Sequence, residues 1–162
     1  MTNDKLRSVF EELGFAEVGS VLASGNITFS SAEADQPALE QRIEAALVDR
    51  LEVTSTTILR AYPELRDLVD SEPFPGLTHG RGSYLTATFL KEPPANPAVV
   101  REQSDPHTAV ARYDQRTRAV LAVTDDAADG PSFMAWLEKA FGKGITTRSW
   151  LTVERIVRKL ES

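Results

Sequence analysis

The chain has 162 residues, 41% of them hydrophobic, and carries 18 basic against 24 acidic side chains for a net charge of −6. That length can bury one compact core or two small ones. The lack of cysteine removes disulfides, thiolate nucleophiles, cysteine-ligated zinc and iron–sulfur clusters, while the acidic balance argues against a nucleic-acid partner, because phosphate backbones repel it.

No apolar run approaches the roughly 20 residues of a membrane span, so no membrane partner is expected. The start, Met1-Thr2-Asn3-Asp4-Lys5, passes straight into an amphipathic pattern. No secretory leader is therefore expected, and a cytoplasmic location is the default. The basic side chains Arg148, Arg155, Arg158 and Lys159 cluster near the C-terminus, where they suit the end of a helix.

Leu6, Val9, Phe10 and Leu13 recur at helical spacing, with Asn3 as a candidate cap and Gly14 as a stop. Residues 18–23 and 26–30 then predict a hairpin around Ser24-Gly25, where glycine supplies the positive φ of a tight turn. A second helix is expected from Asp35 and Pro37, with Leu39, Ile43, Ala46 and Leu47 on one face. Residues 53–60, rich in Thr, Val and Ile, predict a strand. Pro63 opens a short helix with Leu65, Leu68 and Val69.

Pro73, Pro75, Gly76, Gly80 and Gly82 mark a loop and the expected subdomain boundary. Beyond it come a strand at 84–90, a short helix at 98–103, a hairpin of 107–113 with 117–123, a helix from Pro131, a strand at 145–148 and a last helix over 149–160. Leu13, Phe29, Ile43, Phe89, Phe133, Leu137 and Phe141 fall on apolar faces and are expected in the core.

The second half thus follows the order β, α, β, β, α, β of a ferredoxin-like unit. The first half follows the same order with the leading strand missing. The fold class expected is α+β, with two tandem ferredoxin-like α/β plaits over residues 1–75 and 76–162, the first lacking its first strand. In such a sheet the spatial order is 4-1-3-2, so the missing strand would lie between residues 26–30 and 53–60. Its absence leaves facing edges with unpaired backbone groups. The two strands could close directly onto each other, or the missing strand could be encoded upstream of Met1. The expectation preferred over direct closure is pairing with a partner chain along an exposed edge, giving a homodimer.

Five stretches, in order, carry a resemblance to a known family. They are Glu11-Glu12-Leu13-Gly14-Phe15, Ala23-Ser24-Gly25-Asn26-Ile27-Thr28-Phe29-Ser30, Glu72-Pro73-Phe74-Pro75, Thr88-Phe89-Leu90-Lys91-Glu92-Pro93-Pro94, and Gly144-Ile145-Thr146-Thr147-Arg148-Ser149-Trp150-Leu151-Thr152-Val153. Together they resemble the bacterial family called domain of unknown function 1697. The resemblance implies two tandem plaits and no established activity. It also marks three departures. The family's opening strand, ending Arg-Gly-Ile-Asn, is not present. Its Lys-Leu-Thr-Asn helix start is replaced by Pro131, Ser132, Phe133 and Met134. Its Thr-Thr-Arg-Asn-Trp-Asn-Thr signature has Ser149 and Leu151 in place of the two Asn.

Thr146, Thr147, Arg148 and Ser149 lie at a strand-to-helix junction, where free N–H groups, hydroxyls and a guanidinium suit an anionic small molecule. The plainer alternative is that Ser149 or Thr147 caps the helix while Arg148 pairs with a carboxylate. Ser24 and Asn26 present a hydroxyl and an amide at the hairpin turn, although a turn needs Gly and Asn for backbone reasons alone. Trp136 and Trp150 suit the core better than a pocket.

His79 and His107 lack the companions of a metal site or triad. Asp125, Asp126 and Asp129 lack calcium-loop spacing. Gly80-Arg81-Gly82 lacks the lysine of a phosphate loop. No catalytic residue, metal or cofactor is assigned. The leading expectation is a non-enzymatic binding or assembly module. The alternative is an enzyme or binder for an anionic small molecule at residues 146–149.

Overall fold

In the computed structural model the described residues are 2–22, 25–80, 82–102, 108–125 and 132–162. Expectations resting on Ser24, Arg81, His107, Asp126, Asp129 and Pro131 lie outside them. The chain divides into two compact units, Met1–Leu59 with Arg155–Ser162, and Arg60–Glu154. The architecture is mixed α/β, with one two-stranded and one four-stranded antiparallel sheet.

The first unit opens with α1 (Asn3–Glu12). Its cap is Thr2 rather than Asn3: the Thr2 hydroxyl accepts from the Lys5 amide at 3.2 Å. Asn3 instead donates through Nδ2 to the Leu22 carbonyl at 2.6 Å, tying the helix start to the hairpin. Strands β1 (Ala16–Val21) and β2 (Asn26–Ser30) pair antiparallel, with a bulge between Ala16 and Gly19. Gly25 takes φ +79° in the turn, a conformation that glycine enters without steric cost. Helix α2 (Gln36–Leu51) is capped by Asp35, whose carboxylate accepts from the Ala38 amide at 3.2 Å. Leu6, Val9, Phe10 and Phe15 pack with Leu39, Ile43 and Leu47; Val18, Ile27, Phe29 and Leu59 line the margin. Phe29 stacks on Phe15 at 4.5 Å.

Residues 53–60 do not form the expected strand. The sheet of this unit has two strands, so β2 does not close onto that segment. Two of the backbone amides there are met by side chains. The Thr57 amide donates to Glu44 Oε1 at 3.3 Å, and the Leu59 amide donates to Glu40 Oε2 at 2.9 Å. Glu40 is only 5% exposed. The spacing explains the match. Residues four apart on a helix are separated by about 6 Å along its axis, and alternate residues of an extended chain by about 6.6 Å. Buried amides need acceptors, and α2 supplies them where a ladder would otherwise do so.

The second unit holds α3 (Tyr62–Asp70), β3 (Tyr84–Leu90), a 3-10 turn (Pro97–Glu102), β4 (Thr108–Asp114), β5 (Ala119–Thr124), α4 (Ser132–Phe141), β6 (Ile145–Ser149) and the first residues of α5 (Trp150–Glu161). The boundary expected between residues 75 and 76 falls inside this unit. The reason is that α3 is tied to the sheet: Arg112 on β4 donates to the Ser71 hydroxyl at 2.6 Å, and Arg116 forms an ion pair with Asp67. The strand order is β4-β5-β3-β6, with every neighbouring pair antiparallel.

Phe133 and Leu137 of α4 pack on Val120 and Ala122 of β5. Arg60 braces the strand ends, donating to the carbonyls of Thr117 and Leu90 with its guanidinium 5.7 Å over the Phe89 ring. Of the expected core, Ile43, Phe89, Phe133 and Leu137 are buried, whereas Leu13, Phe29 and Phe141 sit at its edges. No helix among the described residues is long and apolar enough to cross a membrane.

Candidate functional site

The strand-to-helix junction divides its side chains between two faces. Residues directly opposite in adjacent strands share a face. Thr146 is opposite Phe89 and Arg148 is opposite Ala87, so those two point one way. Thr147 is opposite Thr88 and Ser149 opposite Thr86, so these point the other way. Thr147 and Thr88 join hydroxyls at 2.8 Å, and Thr88 is fully buried. Ser149 caps α5, accepting from the Thr152 amide at 3.2 Å with the two hydroxyls 3.0 Å apart. That is the capping role weighed from the sequence, and it belongs to Ser149 rather than Thr147.

Arg148 donates to the Thr146 hydroxyl at 2.6 Å and to the Thr147 carbonyl at 3.0 Å. Burial pulls its guanidinium below the usual arginine range, because a charge loses hydration there. The four candidates therefore do not converge as a set; Thr146 and Arg148 remain together.

Asn26 is buried, and its Nδ2 donates to the Val21 carbonyl at 3.1 Å, bracing the hairpin across its own turn. Ser24 lies outside the described residues. Trp136 is partly buried against the core of the second unit, as expected, whereas Trp150 is buried but also lines the cleft described next. No group of three His, Cys, Asp or Glu side chains among the described residues could hold a metal ion.

The sequence reading passed over a cleft in the second unit. Its volume is about 590 Å³. The end of α3, the 72–79 segment and the first turn of α5 form its walls. Phe74 and Trp150 meet edge to face there, with centroids 5.3 Å apart. Leu77 and Leu151 stand at its lip, each 47% exposed.

His79 is locked beside it. The Leu85 amide donates to its Nδ1 at 3.0 Å, so the ring proton sits on Nε2. Leu85 lies one residue beyond Thr86, the last β3 residue paired with β6, and the imidazole takes over as acceptor where that ladder stops. The signal in the sequence was Glu72-Pro73-Phe74-Pro75, which looked like boundary punctuation because proline and glycine dominate the segment.

The fold is similar to that of a conserved bacterial protein from Streptococcus pneumoniae, with a TM-score of 0.76 at 16% identity over 99% of this chain and 89% of that one. At that identity the likeness concerns the fold alone. No curated protein matches the sequence. The sequence pattern of DUF1697, a protein family of unknown function, matches residues 1–120 and so takes in four of the five stretches quoted above. With about three quarters of its length matched, the chain belongs to the DUF1697 family.

Proposed function

We propose that the protein is a non-enzymatic assembly module built from two tandem ferredoxin-like plaits, the first of which pairs with a second copy of itself through the free edge of β2. One observation carries this reading: among the described residues β2 has a strand on one side only, and residues 53–60 form no ladder. The order β4-β5-β3-β6 in the second unit supports the comparison, since there the counterpart of β2, the strand β5, is flanked on both sides. An unpaired strand edge is a template for another strand. Antiparallel pairing of β2 with β2 about a two-fold axis would join two hairpins into one four-stranded sheet.

Mass in solution measured across a dilution series tests this. A dimer that dissociates on dilution, with exchange of the Asn26–Ser30 amides rising as it does so, is the expected result. A monomer at micromolar concentration with those amides protected overturns it and favours closure within one chain.

A second reading has its own support. The half-buried Arg148 guanidinium, already destabilised by lost hydration, would gain from an anion beside Thr146. Thermal shift with phosphate, sulfate and nucleotides tests it. If Arg148→Ala leaves every observed stabilisation intact, the anion site is elsewhere.

A further inference from the structure

We infer that the cleft of the second unit is a binding site for a small organic cation, an ammonium or guanidinium group carried on an apolar body. The volume of about 590 Å³ falls within the range of small-molecule sites. Among the described residues, the charged side chains that line it are Asp70, Glu72 and Glu154, all acidic.

Asp70 is already paired with Arg66 at 3.1 Å. Among the described residues the Glu72 and Glu154 carboxylates have no hydrogen-bond or ion-pair partner. Glu154 is only partly exposed and lies one turn along α5 from Trp150. Glu72 holds its place from a φ of +47°, a conformation in which a side chain is disfavoured.

The apolar half of the ligand has its own surface. Leu77 and Leu151 are large apolar side chains left open at the rim, and Phe74 and Trp150 lie beneath. The locked tautomer of His79 leaves an Nε2 donor for a hydroxyl or carbonyl on the ligand. The two carboxylates select charge, and the apolar wall selects shape. The sign of the charge is opposite to that expected at Arg148, and the inference stands independently of any pairing through β2.

The experiment is a nitrogen–proton correlation titration of the intact chain, followed at the Trp150 indole and the Leu85 amide. The probes are phenethylamine, its neutral analogue 2-phenylethanol, inorganic phosphate and a short lysine-containing peptide. Phenethylamine is expected to move both resonances saturably below about 10 mM, with phenylethanol and phosphate weaker by about tenfold or more. The double variant Glu72→Gln, Glu154→Gln preserves shape and is expected to weaken the amine by about tenfold with an unchanged thermal midpoint.

Equal binding of amine and alcohol overturns the inference, as does binding of phosphate at these resonances. So does an unaltered amine affinity in the double variant, or a response to the peptide with none to the free amine. If the double variant is destabilised, the ratio of amine to alcohol affinity in the unmodified chain decides alone.

Discussion

The two units solve the same problem of backbone satisfaction in different ways. In the second, β3 and β5 each have a neighbouring strand on both sides, and Ala87, Thr88, Val120, Leu121 and Ala122 are completely shielded. In the first, β1 and β2 have only each other among the described residues, and Ile27 and Phe29 of β2 are only partly covered. Residues 53–60 rely on Glu40 and Glu44 for two of their amides. A ladder satisfies the backbone with groups that every residue carries. Side-chain acceptors do so only where the right residue stands at the right turn of a helix. The first solution tolerates substitution of the side chains along a strand; the second depends on individual glutamates.

The largest effect that separates the units is core truncation. Leu137→Ala, at a fully buried position against β5, is expected to cost about 3–5 kcal/mol. Leu13→Ala, at the partly open margin of the first core, is expected to cost less than about 2 kcal/mol. Urea midpoints measure both, and equal costs would break the comparison.

Next comes Glu40→Leu, which fills the site with an apolar side chain but removes the carboxylate that accepts from the Leu59 amide. A loss of about 1–3 kcal/mol is expected, together with faster exchange at Leu59. Should that amide stay protected, a ladder rather than a side chain holds it in solution.

A smaller effect is expected at the hydroxyl pair of β3 and β6. Thr88→Val alone strands the Thr147 hydroxyl and is expected to cost about 1–2 kcal/mol. The double change with Thr147→Val is expected to cost less than about 1 kcal/mol. Additive losses in that cycle would show that Thr147 has another partner. The smallest change is a gain. Glu52 ends α2 at φ +54°, so Glu52→Gly is expected to stabilise by about 0.5 kcal/mol, read from the thermal midpoint.

Much of the fold was legible where the signal is local. Asp35 and Pro37 announce the start of α2, the alternation over 84–90 coincides with β3 to the residue, and Gly25 marks the hairpin. Residues 53–60 show the limit. Thr, Val and Ile favour a strand wherever they fall, but a strand exists only if another backbone lies alongside, and nothing within the segment reports that. At the junction of residues 146–149 the sequence shows which residue types stand together but not which faces they take. Alternation along β6 turns Thr147 and Ser149 away from Thr146 and Arg148.

The sequence alone determined the composition limits, the Asp35 cap of α2, the apolar faces and the family. These depend on residues near one another along the chain, or on residue types alone. Tertiary structure decided which strands have neighbours, that Glu40 would be buried as an acceptor, and that Phe74, Leu77, Trp150 and Glu154 would wall a cleft. Those outcomes depend on segments distant in sequence meeting in space, and no local propensity encodes such a meeting.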